Sequence, residues 1–449
     1  MRDMVILEAP WRAPVEVLAG VAERPWALGL ISGGPQARWS YVACEPDATL
    51  IVPADDPADA FAELAALIGP LCPANPDAPP FAGGVAGLAS YELGDRVEGV
   101  GLARLPGWPD LACARYPALL AFDHQRPRVL ALGRGAGSAE AQRRAEQALG
   151  WQSAEPAVLR PAYGVLAADD PAAYEAAVAQ VVDRIGAGEI FQANIARRWR
   201  GRARAASAPV DLLRRLAAAS PAPFAAYLRL PDAAVVSNSP ERFVEVRPTA
   251  ERLEAETRPI KGTAPRGATP DSDAALAHGL AASLKDRAEN LMIVDLMRND
   301  LARVCEPGSV KTPALFRVES FANVHHLVST VTGRLSAGRT AVDLFRAAFP
   351  PGSITGAPKV QAMKVIAGLE APRGPFFGSM FFAGADGAFD SNVLIRTAAF
   401  LRDADGWQVE ARAGAGIVAD SRPEAERRET EAKISALLAA FAGSAAPAK

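Results

Sequence analysis

The chain has 449 residues, half of them hydrophobic and 22% charged, an ordinary globular composition with enough apolar side chains for a large core. Its net charge of -3 offers nothing to nucleic acid or an anionic membrane, and no apolar stretch reaches the roughly 18 residues of a membrane span. Four cysteines without C-x-x-C spacing (Cys44, Cys72, Cys113, Cys305) and an N-terminus too weakly apolar for a signal peptide point to buried thiols in a reducing, cytoplasmic setting.

In chain order, residues 1–72 mix short β-like runs (26–31, 39–42, 48–52) with a helix at 59–68. A Pro-rich connector at 70–80 leads into F-A-G-G-V-A-G-L-A-S-Y-E-L-G-D (81–95), where glycines inside an apolar strand imply close backbone approach. Strands follow at 112–122 and 128–133, then an Ala-rich helix at 138–149 and a linker at 153–161. Asp170-Pro171 opens the next helix with an N-cap and a proline at the first helical position. Tyr174, Val178, Val181, Val182 and Ile185 then recur at helical spacing until Gly186 and Gly188. The strand G-E-I-F-Q-A-N-I-A puts Gln192 and Asn194 on one face, either a solvated face or a ligand contact. Arg197, Arg198, Arg200, Arg202 and Arg204 read as a solvated strand end entering a loop. A helix at 210–218, strands at 224–230 and 233–237, and the turn S-N-S-P-E-R place Glu241 just before a strand at 243–246.

The longest expected helix is 276–304, with Leu276, Leu280, Leu284 and Leu291 as its apolar stripe. Strands at 316–319 and 326–332, a helix at 342–348, the loop F-P-P-G-S-I-T-G-A-P-K and a helix at 360–369 come next. Strands at 376–383, 392–400 and 407–413 precede Gly414-Ala415-Gly416, which reads as a turn. Ser421-x-x-Glu424 reads as a capping box for a terminal helix reaching about residue 441. The organisation expected is a β-rich half, 1–160, and a second half, 161–449.

Several residue types point to a small-molecule enzyme site. Lys261, in E-T-R-P-I-K-G-T, follows a stiffening proline and precedes a glycine, and is a candidate nucleophile or base. Asp286 and Glu289 share one helix face, as do Glu426 and Glu429, with Lys433 four further on. If those helices converge, their carboxylates make a magnesium site, because Mg²⁺ takes oxygen ligands and no histidine stands with them. Gly414, Ala415 and Gly416 offer unobstructed amides for an anion. Arg396, set in an apolar strand, needs a partner and suits a carboxylate. His325 and His326 are either core histidines or a donor to a substrate hydroxyl.

The phrases R-P-I-K-G-T, A-E-N-L-M-I-V-D-L-x-R-N-D-L, P-G-S-I-T-G-A-P-K, I-R-T and G-A-G-I-V-x-D-S, in that order, resemble the chorismate-utilising enzymes. That family spans anthranilate, aminodeoxychorismate, isochorismate and salicylate synthases. The resemblance implies an α+β fold, with large antiparallel β-sheets packed as a sandwich, helices outside and the two halves intertwined. P-I-K-G-T, F-Q-A-N-I and P-W-A-L-G-L-I-S-G are most similar to members that aminate chorismate at C4 on the way to 4-aminobenzoate and folate. Anthranilate synthases usually carry alanine at the position of Lys261, whereas isochorismate-type members also carry lysine.

The resemblance further implies Mg²⁺ on Asp286, Glu289, Glu426 and Glu429, Lys261 as nucleophile at C2, and Glu241 as general acid for the departing C4 hydroxyl. Arg396 and the amides of Gly414, Ala415 and Gly416 would take the enolpyruvyl carboxylate. Ser353 and Thr355 would line that wall, Lys433 would balance the acids, and His326 would face the substrate. Phe381-Phe382 stands where relatives have Gly-Tyr, so Phe382 would remove a pocket hydroxyl. Ammonia would come from a separate glutaminase subunit, since no cysteine sits in a glutaminase-type glycine elbow. A tryptophan site would use Ser32, Arg38, Ser40, Pro223 and Phe224. The alternatives are an isochorismate- or anthranilate-type enzyme, or a non-catalytic tryptophan-binding regulator.

Overall fold

This computed structural model describes residues 3–35, 37–160, 162–204, 206–320 and 324–443. Among them, two antiparallel sheets of twelve and ten strands make the expected α+β sandwich. Alternation along each strand sorts side chains between two cores. Tyr41, Ala43, Leu228, Leu88 and Phe381 meet between the sheets, while Val42, Tyr227 and Phe122 point the other way. That outer face is covered by the helices Pro14–Val21, Ser138–Gln152, Pro209–Ala219 and Pro423–Ala442, which bury Leu18, Trp151, Leu213 and Leu437. A strand covered on both faces must be apolar at successive positions, as Ala118–Asp123 largely is.

Both sheets draw strands from either side of residue 160. Leu28–Ile31 pairs with Phe224–Arg229 in the larger sheet, and Gly84–Ala89 with Ser379–Gly384 in the smaller. Pro161, the last residue of the expected linker, lies outside the described residues. No helix among the described residues is long and apolar enough to cross a membrane. The four cysteines are free, and three of them are buried; Cys72 is half-buried and accepts from Arg134 Nη1 at 3.3 Å.

Several expected elements differ, each for a local reason. The helix expected at 276–304 is two, Pro270–Ala282 and Leu284–Ala302, because Ser283 turns extended and caps the second by accepting from the Asp286 amide. Only Leu280 of the leucine stripe is buried; Leu284 is 82% exposed, and the buried face runs instead through Asn290, Ile293, Val294, Met297 and Leu301. The strand expected at 392–400 is broken between Phe389–Asn392 and Thr397–Asp403. The glycines at 414–416 do not turn. They continue the strand Gly406–Ile417, which pairs with Gln192–Arg204, so the arginine run is ladder rather than loop. Asp169, Glu431 and Asp403 neutralise Arg198, Arg197 and Arg202 there. The capping box does not form: the last helix starts after Arg422 without a side-chain cap, and Ser421 turns to Glu426. The strand Asp3–Pro10 and the helix Pro14–Val21 were not expected.

The site-bearing segments are held together by Arg373, which is 1% exposed. Its guanidinium donates to the carbonyls of Asn194 (2.6 Å) and Ile354 (3.0 Å) and to both carboxylate oxygens of Glu370. Arg373→Met keeps the apolar stem and strands the Glu370 charge. The expected loss is about 3–5 kcal/mol in urea unfolding, as for other broken buried pairs; a change below about 1 kcal/mol would contradict this role.

Candidate active site

Lys261 owes its position to a bulge. Ile260–Pro265 pairs with Val324–Arg334 as Ile260↔Val328 and then Thr263↔His326, so three steps on one strand oppose two on the other. Such an insertion re-aims the side chains inside it. Gly262 takes φ +84°, and a Cβ there would sit 2.9 Å from the Asp286 carboxylate, so both conformation and space require glycine. The helix Leu284–Ala302 is docked by Asn290, which is fully buried. Its Nδ2 donates to the carbonyls of Pro259 (3.4 Å) and Leu327 (3.3 Å), and its Oδ1 accepts from Ser329 (2.5 Å). That docking brings Asp286 and Glu289 to the lysine strand.

Glu289, Glu241, Glu429 and Lys433 are the charged neighbours of Lys261. Burial holds its pKa below the ordinary lysine value, Lys433 adds to that, and the three carboxylates oppose it. Glu241 is 7% exposed and shifts the opposite way. Burial pushes it up, while the Ser353 hydroxyl and the cations Lys261, Lys433 and Arg396 pull it back. One pocket thus holds a weakened base and a weakened acid.

The two acidic helices face each other across this pocket. Glu289 is pushed up by burial and by Asp286 and Glu429, and Glu426 by burial and by Glu429, although Ser421 donates to it at 2.7 Å. Lys285 and Asp420, 3.6 Å apart, link the start of one helix to the approach of the other. Lys433 donates to the Gly414 carbonyl (3.0 Å) and pairs with Glu429 (2.6 Å). Among the described residues no three His, Cys, Asp or Glu side chains are gathered tightly enough to enclose a metal ion by themselves. Glu289 has no partner in salt-bridge range among them, although Lys261 and Lys285 act on it from farther off, and carboxylates so spaced suit Mg²⁺, which keeps waters and shares its shell with substrate.

Opposite the acids stands an unfilled set of donors. Arg396 lies in the break between two strands at φ +50°, with no carboxylate in salt-bridge range among the described residues. Across the ladder from Gly414 and Gly416, the amides of Ala196 and Asn194 donate elsewhere, to Glu370 (2.7 Å) and the Thr355 carbonyl (2.9 Å). These are therefore non-bonded pairs, and the two glycine N–H groups point outward, where the next strand has already ended at Thr397↔Arg412. Ala415 alternates with them, so its amide belongs to the ladder and not to the pocket. A Cβ on Gly416 would lie 3.1 Å from both Lys261 Nζ and Gln192 Nε2. Gln192 is fully buried with both amide atoms unpartnered, as is Asn194 Oδ1. Of the solvated and ligand-facing readings of these amides, the solvated one is excluded.

Other expected residues are placed differently. Ser353 is beside Glu241, but Thr355 is fully buried with its hydroxyl on the Pro351 carbonyl (2.8 Å), so it braces the loop instead of lining the wall. His326 sits on Thr263 (Nδ1 to Oγ1 3.0 Å) at the bulge, while His325 is held by Asp273 and Ser320. Phe382 is not with Lys261. It stacks on Phe81 (4.8 Å between centroids) and lines a cleft of ≈ 990 Å³ together with Ser32, Arg38, Pro223 and Phe224. Ser40 lies behind that cleft with no exposed surface, accepting from the Ser32 amide and bonded to His124 Nε2 (2.8 Å). Sequence spacing cannot show which of two cavities a strand residue reaches.

The model of the chorismate binding enzyme family matches residues 30–439. The chain is 40% identical to aminodeoxychorismate synthase component 1 of Salmonella typhimurium, over 96% of this chain and 97% of that one. It is 41% identical to anthranilate synthase component 1 of Streptomyces coelicolor, over 91% and 82%. Its fold is similar to the crystal structure of anthranilate synthase component I from Streptococcus pneumoniae (TM-score 0.77, 28% identity, 91% of this chain and 94% of that one). It is also similar, in fold alone, to the menaquinone-specific isochorismate synthase of Escherichia coli (TM-score 0.71, 16% identity, 98% and 95%). On sequence and fold together, the chain belongs to the chorismate binding enzyme family.

Proposed function

We propose that this enzyme replaces the C4 hydroxyl of chorismate with ammonia, giving 4-amino-4-deoxychorismate through a covalent intermediate on Lys261. Relatives near 40% identity carry two different names, so identity does not separate the candidate products. The observation that separates amination through a lysine from direct amination at C2 is the bulged Lys261, held below its ordinary pKa beside the electrostatic neighbour Glu241, an acid held above its own; the aminodeoxychorismate synthase relatives near 40% identity support ammonia over water. An enzyme aminating C2 directly, as anthranilate synthases do, has no use for a nucleophile there.

In the reaction, neutral Lys261 Nζ bonds to C2 while the ring double bonds shift and the C4 hydroxyl leaves as water with the proton of Glu241. The Glu241 carboxylate then takes a proton from the new secondary amine. Ammonia enters at C4, the shift reverses, and Lys261 departs with the proton returned by Glu241. Arg396 and the outward amides of Gly414 and Gly416 hold the enolpyruvyl carboxylate. Glu289, Glu426, Glu429 and Asp286 would hold Mg²⁺, which when bound neutralises the ring carboxylate. The names of the relatives, as first components, support a second component, whose proposed role is to supply ammonia by hydrolysing glutamine.

Product analysis tests the proposal. With chorismate, Mg²⁺ and ammonium, wild type should form aminodeoxychorismate and Lys261→Ala should not. With ammonium withheld, intact-mass spectrometry should find the dehydrated ring attached to wild type only. Isochorismate formed despite ample ammonium would make Lys261 a base for water and sink the amination reading, and anthranilate would remove the nucleophile altogether.

The pH dependence has a definite sign. A free lysine is only about 0.04% neutral at pH 7, and each unit of lowering multiplies that fraction by about ten. Lys433→Gln removes a cation that lowers the Lys261 pKa. The variant should be several-fold slower near pH 7 and recover as pH rises toward 9, whereas a loss independent of pH would place the role of Lys433 elsewhere.

The ≈ 990 Å³ cleft is the proposed tryptophan site, with Phe224 and Phe382 flanking the indole. Calorimetry with L-tryptophan should show binding to wild type that Phe224→Ala weakens at least about tenfold, as expected for a lost aromatic face. Absence of heat with wild type would leave tryptophan out of the account.

A further inference from the structure

The lysine strand is held by the acidic helix on both sides of Lys261. Before it, the Pro259 carbonyl accepts from Asn290 Nδ2 (3.4 Å) and from the Ser329 amide (3.2 Å). After it, Gly262 lies so close to Asp286 that an added Cβ would stand 2.9 Å from that side chain. Asp286 and Asn290 are four apart in Leu284–Ala302, about 6 Å along the axis and on one face. The same turn carries Glu289. The bulge that contains Lys261 therefore lies between two fixed points, and the direction of its side chain depends on both.

Local stability does not account for Asn290. Asparagine suits a helix interior poorly, and a fully buried carboxamide costs free energy unless its polar atoms are satisfied. Its two Nδ2 hydrogens go to Pro259 and to the Leu327 carbonyl (3.3 Å), and Oδ1 accepts from the Ser329 hydroxyl (2.5 Å). That hydroxyl accepts in turn from the Phe316 amide (3.0 Å). Phe316 holds φ +55°, with the Arg287 guanidinium over its ring at 4.8 Å. One neutral side chain thus joins the acidic helix to the lysine strand and to the strand paired with it. Neutrality matters at this place. A charged bridge between Lys261 and Glu289 would alter the protonation of both, whereas a carboxamide fixes geometry and adds no charge.

We propose that Asn290, bonded at once to Pro259, Leu327 and Ser329, is a positioning residue that aims Lys261 at its substrate. The inference deepens the amination proposal and rests on its assignment of Lys261 as nucleophile. Bond formation tolerates little error in placement, so a small shift of the lysine strand slows attack. Substrate affinity should change little, because the carboxylate contacts proposed for Arg396, Gly414 and Gly416 stand on other strands.

The test separates the rate of attack from the amount of folded enzyme. With ammonium withheld, rapid mixing with chorismate and Mg²⁺ and intact-mass detection give a rate constant and an amplitude for the Lys261 adduct. Loss of folded enzyme lowers the amplitude, whereas misplacement of Lys261 lowers the rate constant. For Asn290→Leu, of similar volume, the rate constant should fall about ten- to a hundredfold, with half-saturating chorismate within about threefold of wild type. Ser329→Ala removes one bond of the carboxamide and keeps the test open if Asn290→Leu folds poorly. Its rate constant should fall several-fold, and adding it to Asn290→Leu should cost little more. Rate constants within about twofold of wild type in both variants, whatever their amplitudes, overturn the proposal and leave Asn290 a structural amide. Reductive methylation of the free enzyme, followed on the Lys261 peptide, distinguishes the two readings. If wild type forms no adduct, amination through Lys261 fails. A methylation rate at Lys261 that changes in both variants, with the other lysines unaffected, still supports Asn290 as the residue that places it, and an unchanged rate overturns that too.

Discussion

The Arg373 guanidinium lies between the rings of Tyr91 and Phe377, with centroids 4.6 and 4.5 Å from its carbon. A delocalised cation can be sandwiched in this way and still donate from its edge, which an ammonium cannot do. Its donors reach the Gln192–Arg204 strand through Asn194 and the Ser353 loop through Ile354. Its own amide and that of Gly374 are accepted by Glu92, from the N-terminal half (2.6 and 2.8 Å). Burial pushes Glu92 up to about 7 despite those donors. Such a group charges less readily in the fold than in the open chain, so it favours folding below about pH 4.5 and that contribution fades as pH rises through about 7. The buried fork thus ties the strand that carries Gln192 and Asn194 to the loop that carries Ser353, two segments far apart in sequence.

Convergence alone would produce the wrong protonation states. Lys261 and Glu241 are electrostatic neighbours, and their attraction favours an ammonium beside a carboxylate, whereas the proposed chemistry needs an amine beside an acid. Nearby charges cannot correct both. Lys433 helps Lys261 shed its proton but also helps Glu241 shed its own. Burial acts on both in the useful direction, because removing water penalises whichever form is charged, and it is the largest cause of both shifts. The pocket therefore depends on its dry walls more than on any one charge, and the loop on which Ser353 rides is one of those walls.

Much of the local structure around the candidate site was legible because it rests on short-range signals. Asp170-Pro171 caps its helix as the spacing predicts, and the proline and glycine flanking Lys261 mark a backbone irregularity that proves to be a bulge. What was not legible depended on partners distant in sequence. Gly414 and Gly416 look like a turn until Asn194, at the first, and Gln192 and Lys261, at the second, are seen to crowd the place of a side chain. Four leucines at near-helical spacing look like a core stripe, but Ser283 restarts the helix and rotates the buried face to Asn290 and Met297. Phe382 was assigned to the lysine pocket because a strand pattern reveals which face a residue takes and not which cavity that face meets.

The arrangement of charge also explains why a divalent ion is proposed where the described residues form no compact ligand cluster. Chorismate carries two carboxylates. In the proposed binding mode one would meet Arg396 and two outward amides, where Glu241 is an electrostatic neighbour outside salt-bridge range. The other would then approach Glu289, Glu426 and Glu429, like charges of which, among the described residues, Glu429 alone has a lysine in salt-bridge range, while Lys261 and Lys285 act on Glu289 from farther off. Two such charges about 4 Å apart at an effective dielectric near 20 repel by about 4 kcal/mol, far more than a solvated contact would cost. A divalent cation between them turns that repulsion into attraction and needs only one or two protein carboxylates to do so. An acidic wall facing an acidic substrate is thus itself the argument for Mg²⁺, and it accounts for carboxylates that are spread along two helices instead of gathered around a point.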